Sequence, residues 1–226
     1  MALVSIPGMF AVKKFSHKTV ASIGSVLLGV GQIISSWTIK SLVGLYITQG
    51  FVVGCGLAFC LISVTGLPAT WFYKKRALAC GINSAGGGIG GSVLSIISQT
   101  LIKKVGMEWS LRIVGIISLV FTIPAALSLA VGVPEPKRPS LFKDLLYGLK
   151  NKHFIVLLLA QICASWPFFS APLFVPVYAR SIGLSDAQGA SFSVGYNLAS
   201  AAGRIGLGAL ADLVLVISFI LNIIKI

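Results

Sequence analysis

Residues 19–66 read TVASIGSVLLGVGQIISSWTIKSLVGLYITQGFVVGCGLAFCLISVTG, and the only charged side chain among them is Lys40. On each side of Lys40 lies a segment long enough to cross a bilayer, since about 20 apolar residues span a hydrocarbon core of roughly 30 Å. In a water-soluble fold two such segments would need a polar shell around them. The rest of the chain does not supply one. Of its 226 residues 56% are hydrophobic and only 10% are charged, with a mean hydropathy of +0.97. Soluble domains carry about a quarter charged residues. With so few ionic groups to cover a surface, lipid is the expected solvent for most of it.

Working outward from this stretch, six segments qualify as complete spans: Thr19–Ile39, Ser41–Gly66, Ala77–Ile102, Trp109–Val133, His153–Tyr178 and Gln188–Leu210. Charge, Pro or Gly bounds each of them. Met1–Val12 and Leu213–Ile226 are apolar but too short to cross, so the expected fold class is an all-α membrane protein of about six complete transmembrane helices with two short hydrophobic end segments. Met1–Val12 has no positive residue before it and is followed by Lys13 and Lys14, unlike a secretory signal. It reads as the tail of a cut span, and the chain is expected to be truncated at both ends.

The basic residues alternate. One set of loops holds Lys13, Lys14 and Lys18, then Lys74, Lys75 and Arg76, then Lys137, Arg138, Lys143, Lys150 and Lys152. The intervening loops hold Lys40, then Lys103 and Lys104, then Arg180. Eleven against four makes the first set cytoplasmic by the positive-inside bias. The longest loop, 134–152, opens with Pro134, Pro136 and Pro139, which stop the preceding helix. It is expected to be a cytoplasmic central loop, with a short amphipathic helix over Leu141–Leu149. It divides residues 1–133, the remainder of an N-terminal bundle, from residues 153–226, a partial C-terminal bundle.

Several function classes are excluded on chemical grounds. The net charge of +13 is clustered between apolar runs and not laid along one face, so no nucleic-acid partner is expected. Gly86-Gly87-Gly88-Ile89-Gly90-Gly91 matches GxGxxG in form, but it sits inside a membrane-length segment with no preceding strand. Cys55, Cys60, Cys80 and Cys163 form no CxxC pair and are far in sequence from His17 and His153, so they read as small buried hydrophobes. The five acidic residues, Glu108, Glu135, Asp144, Asp186 and Asp212, fall in loops or at span ends, which leaves little to build an intramembrane hydrolase from. No enzyme activity, metal or cofactor is expected.

Small residues four apart let helices approach closely in lipid. Gly50 and Gly54, Gly86 and Gly90, Gly87 and Gly91, and Gly195, Ala199 and Gly203 show this spacing. Pro167, Pro172 and Pro176 predict bends in the fifth span, either static or gating. Arg204 is the one charge deep in a span, where ionisable groups are costly and commonly functional. It reads either as an anion anchor facing a cavity, through two parallel hydrogen bonds to a carboxylate, or as a side chain snorkelling to the headgroups or pairing with Asp212. Eight helical residues separate Arg204 and Asp212 by about 12 Å, which disfavours the pair. Ser200 and Asn197 lie one and two turns before Arg204 on roughly its face. With Tyr196 and Asn83 they are further candidates for lining a cavity, or equally for hydrogen bonding between helices. Arg112, one turn after Glu108, is accounted for by a surface ion pair.

The stretch Trp71-Phe72-Tyr73-Lys74-Lys75-Arg76-Ala77-Leu78-Ala79-Cys80-Gly81-Ile82-Asn83-Ser84-Ala85-Gly86 resembles the fifth-helix signature of the monocarboxylate transporter family of the major facilitator superfamily. Phe15-Ser16-His17-Lys18 resembles the loop after that family's second helix. Glu108-Trp109-Ser110-Leu111-Arg112 is similar to the start of its sixth, and Gly203 to Asp212 to the end of its eighth. The resemblance covers most of residues 8–212 and is closest to fungal members. It implies a partial major-facilitator bundle, helices three to eight of twelve, working by alternating access between two halves in the plasma membrane. It places the family's carboxylate-binding arginine on Arg204, with Ser200 where an aspartate is common. The expected partners are the lipid bilayer and a small organic acid or related metabolite. The competing expectation is a non-transporting fragment or an assembly partner of such a transporter.

Overall fold

A computed structural model describes residues 8–12, 14–72, 74–131 and 148–224. Among these the regular structure is entirely helical. The long elements are α1 (His17–Ser35), a run made of α2 (Leu42–Leu45), a π-helix (Tyr46–Val52), α3 (Val53–Thr65) and α4 (Pro68–Trp71), then α5 (Arg76–Ser128), α6 (Lys152–Ser181) and α7 (Asp186–Ile224). Among the described residues three helices are long and apolar enough to cross a membrane: His17–Ser35, Leu42–Trp71 and Arg76–Ser128.

The side chains are sorted as lipid requires. Val20, Ala21, Gly24, Ser25, Gly29, Gly31 and Ser35 are the buried residues of α1, almost all of them small. Large apolar side chains point outward, among them Leu42 at 75% exposure and Phe121 at 71%. With no hydrophobic difference between a neighbour helix and lipid tails, close backbone packing drives association, and small residues permit it.

At 53 residues α5 would measure about 80 Å if straight, far more than the hydrocarbon core. It is broken at Gly106, whose φ of 84° and ψ of 173° fall in a region open essentially only to glycine. The loop expected around Lys103–Glu108 is thus a one-residue break that divides α5 into two limbs of membrane length.

Two compact units emerge, Met1–Val133 with Asn197–Ile226, and Pro134–Tyr196. In the first, α1 packs antiparallel to α3 and to the second limb of α5. His17 Nδ1 lies 2.9 Å from the Ser63 carbonyl at one end, and Gln49 Nε2 donates to Gln32 Oε1 at 2.7 Å towards the other. A Cβ on Gly24 would lie 2.8 Å from the Gly56 carbonyl, and one on Gly115 2.9 Å from that of Gly29. The glycine pairs singled out by four-residue spacing are not these. A Cβ on Gly50, Gly54, Gly86, Gly87, Gly90, Gly195 or Gly203 would meet nothing within 4 Å. Spacing identifies a smooth helix face, but which face has a neighbour is a property of the bundle.

In the second unit α6 is capped by Asn151, whose side chain accepts from the His153 amide at 3.0 Å. It ends in a Schellman turn: Leu184 N–H reaches the Ala179 carbonyl, Gly183 N–H reaches that of Arg180, and Gly183 has φ 82°. Ser185 and Gln188 then form a capping box at the start of α7, with Ser185 N–H donating to Gln188 Oε1 at 2.9 Å. Pro167, Pro172 and Pro176 fall within one continuous α6. The 134–152 loop is described only from Gly148, so nearly all of it and of the expected Leu141–Leu149 helix lies outside the described residues.

Two expectations are corrected. The last span does not stop at Leu210. Residues 211–224 contain no Gly or Pro to end a helix, and α7 continues to Ile224. Arg112 is held otherwise than by a surface pair with Glu108. Its Nε donates to Ser36 Oγ at 2.9 Å, and its guanidinium lies over the rings of Trp37 at 5.3 Å and Trp109 at 4.8 Å. The α1 C-terminus brings Ser36 and Trp37 to it, a contact that no local spacing shows.

Candidate functional site

The candidate residues centre on the seam between the first limb of α5 and the part of α7 after Tyr196. The two helices run antiparallel, with Ala77 near Gly208, Gly81 near Arg204 and Gly88 near Asn197. On α5 the seam positions 77, 81, 84, 88 and 91 recur every three or four residues, one helical face.

Glycine sets the depth of this contact. A Cβ on Gly81 would lie 2.5 Å from the Arg204 carbonyl, one on Gly88 2.6 Å from the Asn197 carbonyl, and one on Gly208 2.8 Å from the Ala77 carbonyl. Arg204 therefore sits at one of the close approaches of the two backbones. Its Nη1 donates to the Ser84 carbonyl at 3.3 Å and its Nε to Ser200 Oγ at 3.4 Å. Both distances are longer than the usual N–H···O range of 2.7–3.2 Å. The side chain is part-buried and directed along the seam by these contacts.

One turn beyond Gly208 the seam closes on a stronger contact. Asp212 accepts from the backbone N–H groups of Ala77 at 2.9 Å and Leu78 at 2.8 Å. These are among the first amides of α5, which have no partner within their own helix. The carboxylate caps them from another helix and meets the positive end of the α5 dipole. Asp212 thus pairs with a helix terminus, and the Arg204–Asp212 pair weighed from sequence is not formed.

The seam gathers Arg204, Ser200 and Asn197, the last with its amide 3.6 Å from where a Gly91 Cβ would be. Tyr196, one residue before, is part-buried on α7. Asn83 lies apart, turned to the other side of α5, where it lines a cleft with Leu67, Trp71 and Leu129. The close-contact glycines 81, 88 and 208 were visible only as letters in glycine-rich segments, and the cap formed by Asp212 had no local signal. Among the described residues no three His, Cys, Asp or Glu side chains gather to hold a metal. The thiols of Cys55, Cys60, Cys80 and Cys163 are unbonded to one another.

The family model described as Major Facilitator Superfamily matches residues 1–224. The chain belongs to the major facilitator superfamily, whose members move small molecules across membranes. It is 30% identical over 190 residues to the MFS-type transporter pytF of Aspergillus terreus, covering 84% of this chain and 64% of the relative. It is 30% identical to the probable transporter MCH2 of Saccharomyces cerevisiae, covering 88% and 42%. It is 28% identical to monocarboxylate transporter 2 of Meriones unguiculatus, covering 79% and 42%. The chain therefore spans between about two fifths and two thirds of the length of these relatives.

Proposed function

We propose that the chain supplies helices three to eight of a twelve-helix permease that carries small organic anions, monocarboxylates or related metabolites, by alternating access. On this reading the six spans, the cytoplasmic central loop between residues 134 and 152, and the division into 1–133 and 153–226 all follow the superfamily plan, and the plasma membrane is its site. The single observation that supports it most is Arg204, a part-buried guanidinium on the glycine seam of α5 and α7 beside Ser84 and Ser200. A carboxylate offering two oxygens suits a guanidinium, because charge-assisted bidentate pairs are among the stronger hydrogen bonds. Ser200, Asn197 and Tyr196 would complete the anion's surroundings, while Asn83, which lines the cleft on the other side of α5, would not.

The test is uptake of labelled monocarboxylates into proteoliposomes by the protein in its longest natural form. Arg204→Ala is expected to abolish uptake while membrane insertion is unchanged, and Arg204→Lys to retain a small fraction. Undiminished uptake by Arg204→Ala removes Arg204 from the site.

A further inference from the structure

We propose that the cleft on the far side of α5 from the Arg204 seam binds an anionic phospholipid of the cytoplasmic leaflet, headgroup on Lys75 and acyl chain inside.

The cleft encloses about 520 Å³ between the turn after α3, the start of α5 and the end of its second limb. Leu67, Trp71, Ala79 and Leu129 supply apolar walls, and Lys75, Asn83 and Ser128 are the polar members of the lining, Lys75 alone among them charged. Trp71 Nε1 donates to the Ala130 carbonyl at 3.0 Å, which fastens α4 to the end of α5 and keeps one wall in place. That volume is typical of small-molecule sites.

Three observations select the occupant. The first is charge: Lys74, Lys75 and Arg76 follow one another at this end, all exposed, and Lys75 itself lines the cleft. The second is depth. Trp71 at 60% exposure and Phe72 at 55% mark the band where aromatic side chains settle between headgroups and hydrocarbon. The mouth of the cleft is therefore at headgroup level and its apolar part below. The third is competition for the helix terminus. The amides of Ala77 and Leu78, which would otherwise attract an anion to the start of α5, are already taken by Asp212. An incoming anion is left with the basic side chains at the cleft mouth. A basic mouth above an apolar slot matches a molecule with an anionic head and a hydrocarbon tail. The positive-inside bias puts this mouth in the leaflet that holds anionic lipid.

The experiment is native mass spectrometry of the purified chain released from micelles holding equal phosphatidylserine and phosphatidylcholine. Retention of phosphatidylserine over phosphatidylcholine is expected. Lys75→Gln should lower it about fivefold, the worth of one basic residue near a lipid surface. Ala79→Phe, which fills the slot and leaves every charge in place, should lower it at least as much, and Ala79→Leu repeats the test if the larger variant does not fold. Equal retention of both lipids overturns the proposal. So does phosphatidylserine retention that survives filling of the slot, which would place the lipid on the surface triplet alone. Displacement by inorganic phosphate would mark a simple anion site. Loss of retention in a longer form of the protein would mean that a polypeptide segment fills the cleft. Uptake measurements enter none of these outcomes, so the proposal stands or falls apart from the Arg204 reading.

Discussion

Replacing Asp212 isolates one carboxylate acting across the seam. Its two oxygens hold the amides of Ala77 and Leu78 at 2.9 and 2.8 Å. Removing an N-cap side chain costs about 0.5–2 kcal/mol. Removing a negative charge from a helix N-terminus adds about 0.3–1 kcal/mol, and up to ~2 in part-buried geometry. Asp212 is part-buried and supplies both effects, so Asp212→Ala should weaken closure of the first turn of α5 against α7 by about 2 kcal/mol, which is roughly a 30-fold rise in the open population. Asp212→Asn keeps one acceptor oxygen without the charge and should cost about 1 kcal/mol, roughly a fivefold rise. Hydrogen exchange read by mass spectrometry on peptides covering 74–80 reports this directly. Exchange should accelerate in the order wild type, Asn, Ala, while peptides from α1 keep their rates. Unchanged protection of Ala77 and Leu78 in Asp212→Ala would refute the argument that this carboxylate is their partner.

Gly81→Ala places a Cβ 2.5 Å from the Arg204 carbonyl and should cost about 1–3 kcal/mol by forcing the helices apart. Gly86→Ala, on an open face, should be neutral or slightly stabilising, and thermal aggregation in detergent compares the two. Arg112→Ala removes two ring contacts worth about 0.5–1 kcal/mol each and one hydrogen bond of about 1 kcal/mol. It should lower the midpoint of the same melt, and Trp37 emission should report a changed environment. Gly106→Ala imposes a side chain on a backbone that tolerates only glycine, at about 1–3 kcal/mol. It should destabilise the chain more than Ala at Gly50, where the helix is regular.

The chain by itself determined that the protein is helical and lives in lipid, because hydropathy summed over a span and the scarcity of charge need no partner to be read. It also put a break between two of the spans at Lys103 and Lys104, because charge interrupting an apolar run is a local signal. Everything that depends on which face meets which was decided by tertiary structure. Four-residue spacing picked Gly50, Gly54, Gly86 and Gly90, whereas the bundle sets Gly24, Gly56, Gly81 and Gly88 close against other backbones. It set Asn83 away from Arg204, gave Arg112 to Trp37, and gave Asp212 to the amides of Ala77 and Leu78, 135 and 134 positions earlier. A helix repeats its own residues with a fixed period, but its rotation against a neighbour is set by the close fit of two backbones.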